Sequence, residues 1–192
     1  MQTRKPHAAL LASPGMGHLI PVLDLGKRLV SHHGFNVTIF VVTTDASLSQ
    51  SQLWKVSETA YNLLHVVLLP PVDVSGQIDK TTSILTQIGM MVHEALPSLR
   101  SSVLAKEVPP TALVVDMFAT EAFAVAEELM MLNYVFITSN SWFLALTVHA
   151  PNLDKEVDQG DHINSQRPLF ILGCESICFV DCFSHGNRDI HG

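Results

Sequence analysis

Between His7 and Ile137 the chain alternates short, nearly unbroken apolar runs with longer stretches of helical hydrophobic spacing. Few folds accommodate that alternation. The apolar runs are 7–12, 36–42, 64–69, 112–115 and 134–137. They are too short for helices and apolar on both faces, as strands buried on both sides of a sheet must be. Between them, Leu19, Leu23, Gly26 and Val30 recur at helical intervals, as do Ile84, Ile88, Val92, Leu99 and Val103 within 83–105. Residues 120–129 and 141–149 supply two more helices. Gly34 is placed to end the first helix, Pro97 to kink the second and Pro151 to end the last. The Ser-rich stretch 43–57 reads as loop, with room for one helix. Strands alternating with helices predict an α/β fold: a Rossmann-like, parallel sheet doubly wound with helices on both faces. The periodicity is lost from Asn152 onward, so 1–151 is expected to form the domain and 152–192 a linker or irregular tail.

Composition narrows the functions. Hydrophobic residues make up 47% of the 192 and charged ones 15%, with 11 Lys+Arg against 18 Asp+Glu and a net charge of −7. That is enough apolar material for one good core, and too much for intrinsic disorder. An acidic chain has no broad basic face for phosphates, so no nucleic-acid partner is expected. The most apolar helix-like run, 122–137, carries Glu127 and Glu128, so no stable membrane insertion is expected. The basic opening is followed by too short an apolar run for a secretory leader, and the chain is expected to be cytoplasmic. Cys174, Cys178 and Cys182 are odd in number and crowded together, which is no disulfide framework. Spaced every four residues, with His185 and His191 nearby, they could share a helix face as metal ligands. Nothing around them forms a supporting pattern, and no metal site is expected.

In a parallel α/β sheet, ligands sit beyond the carboxyl ends of the strands. His18 follows the first strand, behind Ser13-Pro14-Gly15-Met16-Gly17, and Asp116 follows the strand 112–115. Far apart in sequence, both should reach one crevice. An imidazole can take a proton from a hydroxyl near neutral pH. A carboxylate behind it fixes the tautomer and stabilises the imidazolium. The same two residues also suit plain helix caps, and spacing leaves both readings open. The Gly15-Met16-Gly17 turn could bring backbone amides to an anion, but the third glycine of a dinucleotide fingerprint is missing.

The segment Ala12-Ser13-Pro14-Gly15-Met16-Gly17-His18-Leu19-Ile20-Pro21 resembles the opening of plant family 1 UDP-glycosyltransferases. So do Leu68-Leu69-Pro70-Pro71-Val72-Asp73, Pro110-Thr111-Ala112-Leu113-Val114-Val115-Asp116-Met117-Phe118 and Pro151-Asn152-Leu153-Asp154-Lys155. Together they are similar to the branch that glucosylates hydroquinone, monolignols and other small phenols. The resemblance runs from about His7 to Cys174. It implies the N-terminal, acceptor-binding half of a GT-B fold, in which two Rossmann-like domains face each other across a cleft. It implies His18 as the base, Asp116 as its partner, and inverting transfer of glucose from UDP-glucose as co-substrate to a small phenolic or flavonoid-like acceptor, with no cofactor and no metal. It places Met16, Gly17, Met117, Phe118, Trp142, Phe143 and Thr147 around the acceptor. Ser13, Thr138, Ser139 and Asn140 come near the donor sugar.

The sequence departs from the family toward its end. The family's donor-binding motif, rich in Trp, Gln, His, Gly, Asn and Glu, has no counterpart here, and the text after Glu175 is unlike the family's. The expectation is an apparently truncated chain that binds a UDP-sugar only with a C-terminal domain and is inactive alone. The competing reading is a catalytically dead small-molecule-binding or interaction module derived from that family. A serine hydrolase using Ser13 is disfavoured, because no Gly-x-Ser-x-Gly elbow is present.

Overall fold

The computed structural model describes residues 5–44, 62–79 and 81–156, together with two short strands at 168–169 and 177–178. Inter-residue contacts divide the chain into Met1–Thr138 and Ser139–Gly192.

The first unit is a five-stranded parallel sheet in the order β3-β2-β1-β4-β5. Its strands are β1 His7–Ala12, β2 Asn36–Val41, β3 Leu64–Leu68, β4 Ala112–Asp116 and β5 Leu132–Phe136. Helix α1, Met16–His33, joins β1 to β2; α2, Ile84–Leu104, precedes β4; and α3, Phe123–Glu128, follows a 3-10 turn at Thr120–Ala122. All six residues of β1 are buried, because both faces are covered. Ala8, Leu10 and Ala12 point to one face, where they pack with Leu19, Val22, Leu23 and Val30 of α1. Ala9 and Leu11 point to the other, among Ile88, Val92, Leu99 and Val103 of α2 and Ala126 of α3. This is the doubly wound sheet that unbroken apolar strands require.

Two local features fix the helices. Gly26 lets α1 lie close to the sheet: a Cβ there would fall 2.9 Å from Ile39 Cδ1 and 3.1 Å from Leu64 Cδ1. Helix α1 ends at Gly34 in the left-handed region, φ 65°, with its N–H returned to the Val30 carbonyl. Ser83 caps α2 by accepting the Thr86 N–H, and α2 runs on through Pro97. The end of α3 uses Met130 where a glycine would be expected, at φ 58°. The Met130 and Met131 N–H groups donate to the Glu127 and Ala126 carbonyls, the paired hydrogen bonds of a Schellman turn.

Element boundaries differ from the expected ones in several places, including the first turn of the expected helix 120–129, which is a 3-10 turn. β5 starts at Leu132 rather than 134, because the Leu132 N–H already donates to the Thr111 carbonyl. In the second unit, α4 spans Ser141–Glu156, so Pro151 does not end it. The second unit also contains an antiparallel pair, β6 Pro168–Leu169 and β7 Ile177–Cys178. The expected loop at 43–57 falls mostly outside the described residues.

Candidate active site

The strand order reverses between β1 and β4. From β1 the chain builds outward through β2 and β3 on one side, and β4 and β5 lie on the other. Such a switch point opens a crevice at the carboxyl ends of its two strands. β1 ends there in Ala12 and Ser13, and β4 ends there in Asp116. Register places Leu11 against Val115, so Ser13 and Asp116 emerge side by side. The turn Pro14-Gly15, with Gly15 at φ 109°, sends the chain into α1, whose first turn presents His18.

Asp116 is wholly buried. Its Oδ2 accepts the Ser13 N–H at 2.7 Å, and its Oδ1 accepts the Ser13 hydroxyl at 2.7 Å and the Phe118 N–H at 2.9 Å. His18 Nδ1 stands 3.7 Å from Asp116 Oδ2, with 21% of the histidine side chain exposed. That separation exceeds a formed hydrogen bond. The Phe118 ring meets the imidazole edge-on, centroids 5.0 Å apart, a preferred aromatic geometry that limits the tilt of the His18 ring. Asp116 ends β4 and His18 stands in the first turn of α1 just beyond β1, so the parallel pairing of β1 with β4 brings the two together.

The structure brings His18, Asp116, Ser13 and Phe118 into contact. Met16 and Gly17 lie exposed in the first turn of α1, and Met117 is half-buried directly after β4. Thr138 follows β5, whose Phe136 pairs with Asp116, so it too lies at the carboxyl edge. The remaining expected site residues belong to the second unit. There Asn140 caps α4, its Oδ1 accepting the Phe143 N–H at 2.9 Å. The Thr147 hydroxyl donates to the Phe143 carbonyl at 2.8 Å, Ser139 is exposed, and Trp142 lies in the first turn of α4. Among the described residues no group of three His, Cys, Asp or Glu could hold a metal, and no helix is long and apolar enough to cross a membrane. Cys178 lies in β7 rather than on a helix; Cys174, Cys182, His185 and His191 lie outside the described residues.

The structure adds a role the sequence did not announce. Ser13, expected near the donor, is 1% exposed, with amide and hydroxyl both turned to Asp116. Because the hydroxyl donates to the carboxylate, it lacks the hydrogen bond to histidine that a serine nucleophile uses. A serine ahead of Pro-Gly reads as an ordinary turn residue, and only the parallel pairing of β1 with β4 shows what it faces.

A wholly buried carboxylate thus stands behind a partly exposed imidazole, both at a sheet switch point. No protein-family model matches the chain. Individual relatives do. The chain is 45% identical over 181 residues to UDP-glycosyltransferase 72E3 of Arabidopsis thaliana, covering 94% of this chain and 36% of that protein. It is 44% identical over 173 residues to anthocyanidin 3-O-glucosyltransferase 5 of Manihot esculenta, covering 90% and 35%. Among solved structures it superposes on a UDP-glucosyltransferase from Polygonum tinctorium with a TM-score of 0.81 at 33% identity, over 93% of this chain and 39% of that one. On Phytolacca americana UGT2 the TM-score is 0.80 at 29% identity, over 90% and 40%. The chain belongs to the plant family 1 UDP-glycosyltransferases and corresponds to the N-terminal part of their GT-B structures. It spans about 36% of the length of the first relative.

Proposed function

We propose that this chain is the acceptor-binding half of an inverting UDP-glucosyltransferase for small phenolic or flavonoid-like acceptors, with His18 as general base and Asp116 as its partner. The observation that carries the reading is the approach of His18 Nδ1 to Asp116 Oδ2, 3.7 Å across the switch point. The relatives support the substrate class. The Phytolacca americana enzyme is complexed with UDP-2-fluoro-glucose and pterostilbene, and the Polygonum tinctorium enzyme glucosylates indoxyl and is complexed with 3,4-dichloroaniline.

In this reading the acceptor hydroxyl gives its proton to His18 Nε2, since Nδ1 is buried against Asp116. The oxygen attacks the anomeric carbon of the UDP-sugar, the bond from that carbon to the diphosphate oxygen breaks, and UDP leaves with inversion. Charge on the imidazole is greatest as the proton arrives, when the Asp116 carboxylate behind it is most stabilising. Met16, Met117 and Phe118 offer apolar surface at the same edge for an aromatic acceptor. The donor is held by the portion of the relatives that this chain does not match, so the chain alone gains no advantage from holding both reactants.

The test joins this chain to the remaining portion of the Arabidopsis relative and follows glucoside formation on hydroquinone. His18→Ala is expected to lower the rate by about 10²–10⁴-fold, the usual contribution of a general base. Retention of more than a tenth of the rate overturns the assignment. The 192-residue chain itself is expected to show no transfer; sub-millimolar binding of UDP-glucose to it, measured by calorimetry, contradicts its reading as the acceptor half.

A further inference from the structure

We infer that Ser13 is a positioning residue that selects the tautomer of His18: it aims the Asp116 carboxylate so that Nδ1 carries the proton and Nε2 is left as the base. This inference rests on the dyad reading above. A carboxylate has roughly four acceptor sites, two on each oxygen. Oδ1 is filled by the Ser13 hydroxyl and the Phe118 N–H, and Oδ2 is half filled by the Ser13 N–H. The one site left is on Oδ2, the oxygen 3.7 Å from His18 Nδ1. On the other side of that gap, Nδ1 is buried and has no hydrogen-bond partner among the described residues. A bare ring nitrogen would set its lone pair against that oxygen, whereas an N–H would be drawn to it. The accounting therefore leaves one donor position and one acceptor position facing each other.

Ser13 contributes two of the three donors that produce this arrangement. Its amide is fixed by the end of β1, so the hydroxyl is the adjustable part. Without the hydroxyl, Oδ1 keeps only the Phe118 N–H, and the terminal torsion of an aspartate has no sharp rotamer wells to hold it. The carboxylate can then turn its free site away from Nδ1. Ser13 touches no substrate in this account; it acts through Asp116 on the nitrogen that does.

The test needs no activity. Ring-nitrogen chemical shifts of His18 are recorded on the 15N-labelled 192-residue chain at alkaline pH. Wild type is expected to be predominantly Nδ1–H. Ser13→Ala is expected to lower the ratio of Nδ1–H to Nε2–H about 3- to 10-fold, the range one hydrogen bond of ordinary net strength controls. Ser13→Thr, which keeps the hydroxyl, is expected to restore it. A wild-type ratio in folded Ser13→Ala, or an alanine-like ratio in Ser13→Thr, overturns the inference. Should either variant fail to fold, the wild-type chain still decides: the Ser13 hydroxyl proton is expected to exchange slowly and show an Overhauser contact to the Phe118 amide, and fast exchange overturns the inference. A wild-type ring protonated at Nε2 overturns the dyad itself, whereas Nδ1–H in wild type and Ser13→Ala alike removes only the role of Ser13.

Discussion

One histidine opens β1 and another stands in the first turn of the helix that follows it, and their surroundings are opposite. His7 begins the strand, at the amino edge of the sheet. It is 4% exposed, its Nδ1 lies 2.7 Å from the Val108 carbonyl and its Nε2 lies 2.9 Å from the Thr38 hydroxyl. The carbonyl can only accept, so Nδ1 carries the proton and Nε2 accepts from Thr38. Both nitrogens are committed, and the ring ties β1 to β2 and to the segment before β4. His18 follows the same strand at the carboxyl edge. It is partly exposed, and its Nδ1 has an approach to Asp116 in place of a formed bond. A histidine whose nitrogens are both satisfied holds structure together. One with an incomplete hydrogen-bond set, at a switch point, retains the capacity to move a proton.

That contrast breaks most visibly by substitution. In the joined enzyme, His18→Ala is expected to remove nearly all transfer while the unfolding free energy stays within about 0.5 kcal/mol of wild type. His7→Ala does the reverse. It leaves the Val108 carbonyl and the Thr38 hydroxyl buried without the ring and opens a cavity, a loss of about 2–4 kcal/mol in urea unfolding. Activity per folded molecule is expected to be unchanged. Stability lost with His18, or chemistry lost with His7, would erase the distinction.

A smaller effect sharpens it through pH. Burial lowers the His7 pKa below its ordinary 6.5, opposed by the Val108 carbonyl and aided by repulsion from Lys106 and His65. Below pH 6.5 the unfolded chain therefore takes up a proton that the folded chain refuses. Stability falls as pH falls through that window and levels off below the folded value. His93 has the opposite sign. Its hydrogen bond to Glu121 raises its pKa, so its contribution is complete below 6.5 and fades as pH rises through the folded value. Both side chains are exposed, so that pair is screened by solvent. Urea unfolding between pH 7 and 5 is expected to show wild type losing stability relative to His7→Gln; parallel curves would show that His7 is not the group responsible.

The smallest effect concerns the turn after α3. Met130 occupies a left-handed position at φ 58° and is 90% exposed, so its side chain contributes little packing to offset the strain. Met130→Gly is expected to raise stability by about 0.5–1 kcal/mol, against Gly34→Ala, which should lower it by a similar amount at the equivalent end of α1. A destabilised Met130→Gly would mean the exposed methionine has a contact that its exposure hides.

The contrast between the histidines also marks what the sequence could reveal. The sheet was legible because its strands are apolar on both faces and short, a pattern that leaves little but a covered parallel sheet. His18 and Asp116 were legible because each follows a strand end, where a doubly wound sheet collects its ligands. The hydrogen bonds of His7 were not. Their partners lie 31 and 101 positions away, and a histidine opening a strand gives no sign of them. Ser13 was hidden for the same reason: its partner lies across the β1–β4 ladder. Helix α4 continued past Pro151 because one proline removes one hydrogen bond and not a helix.

The most direct measurement is a crystal structure of the joined enzyme with UDP and a phenolic acceptor bound. General-base transfer requires the acceptor oxygen within hydrogen-bond reach of the base, about 2.6–3.2 Å. That oxygen is expected on His18 Nε2, with Nδ1 closed onto Asp116 Oδ2 from its present 3.7 Å. An acceptor oxygen held by another side chain, or an Nδ1 that turns away from Asp116 when the acceptor binds, would contradict it.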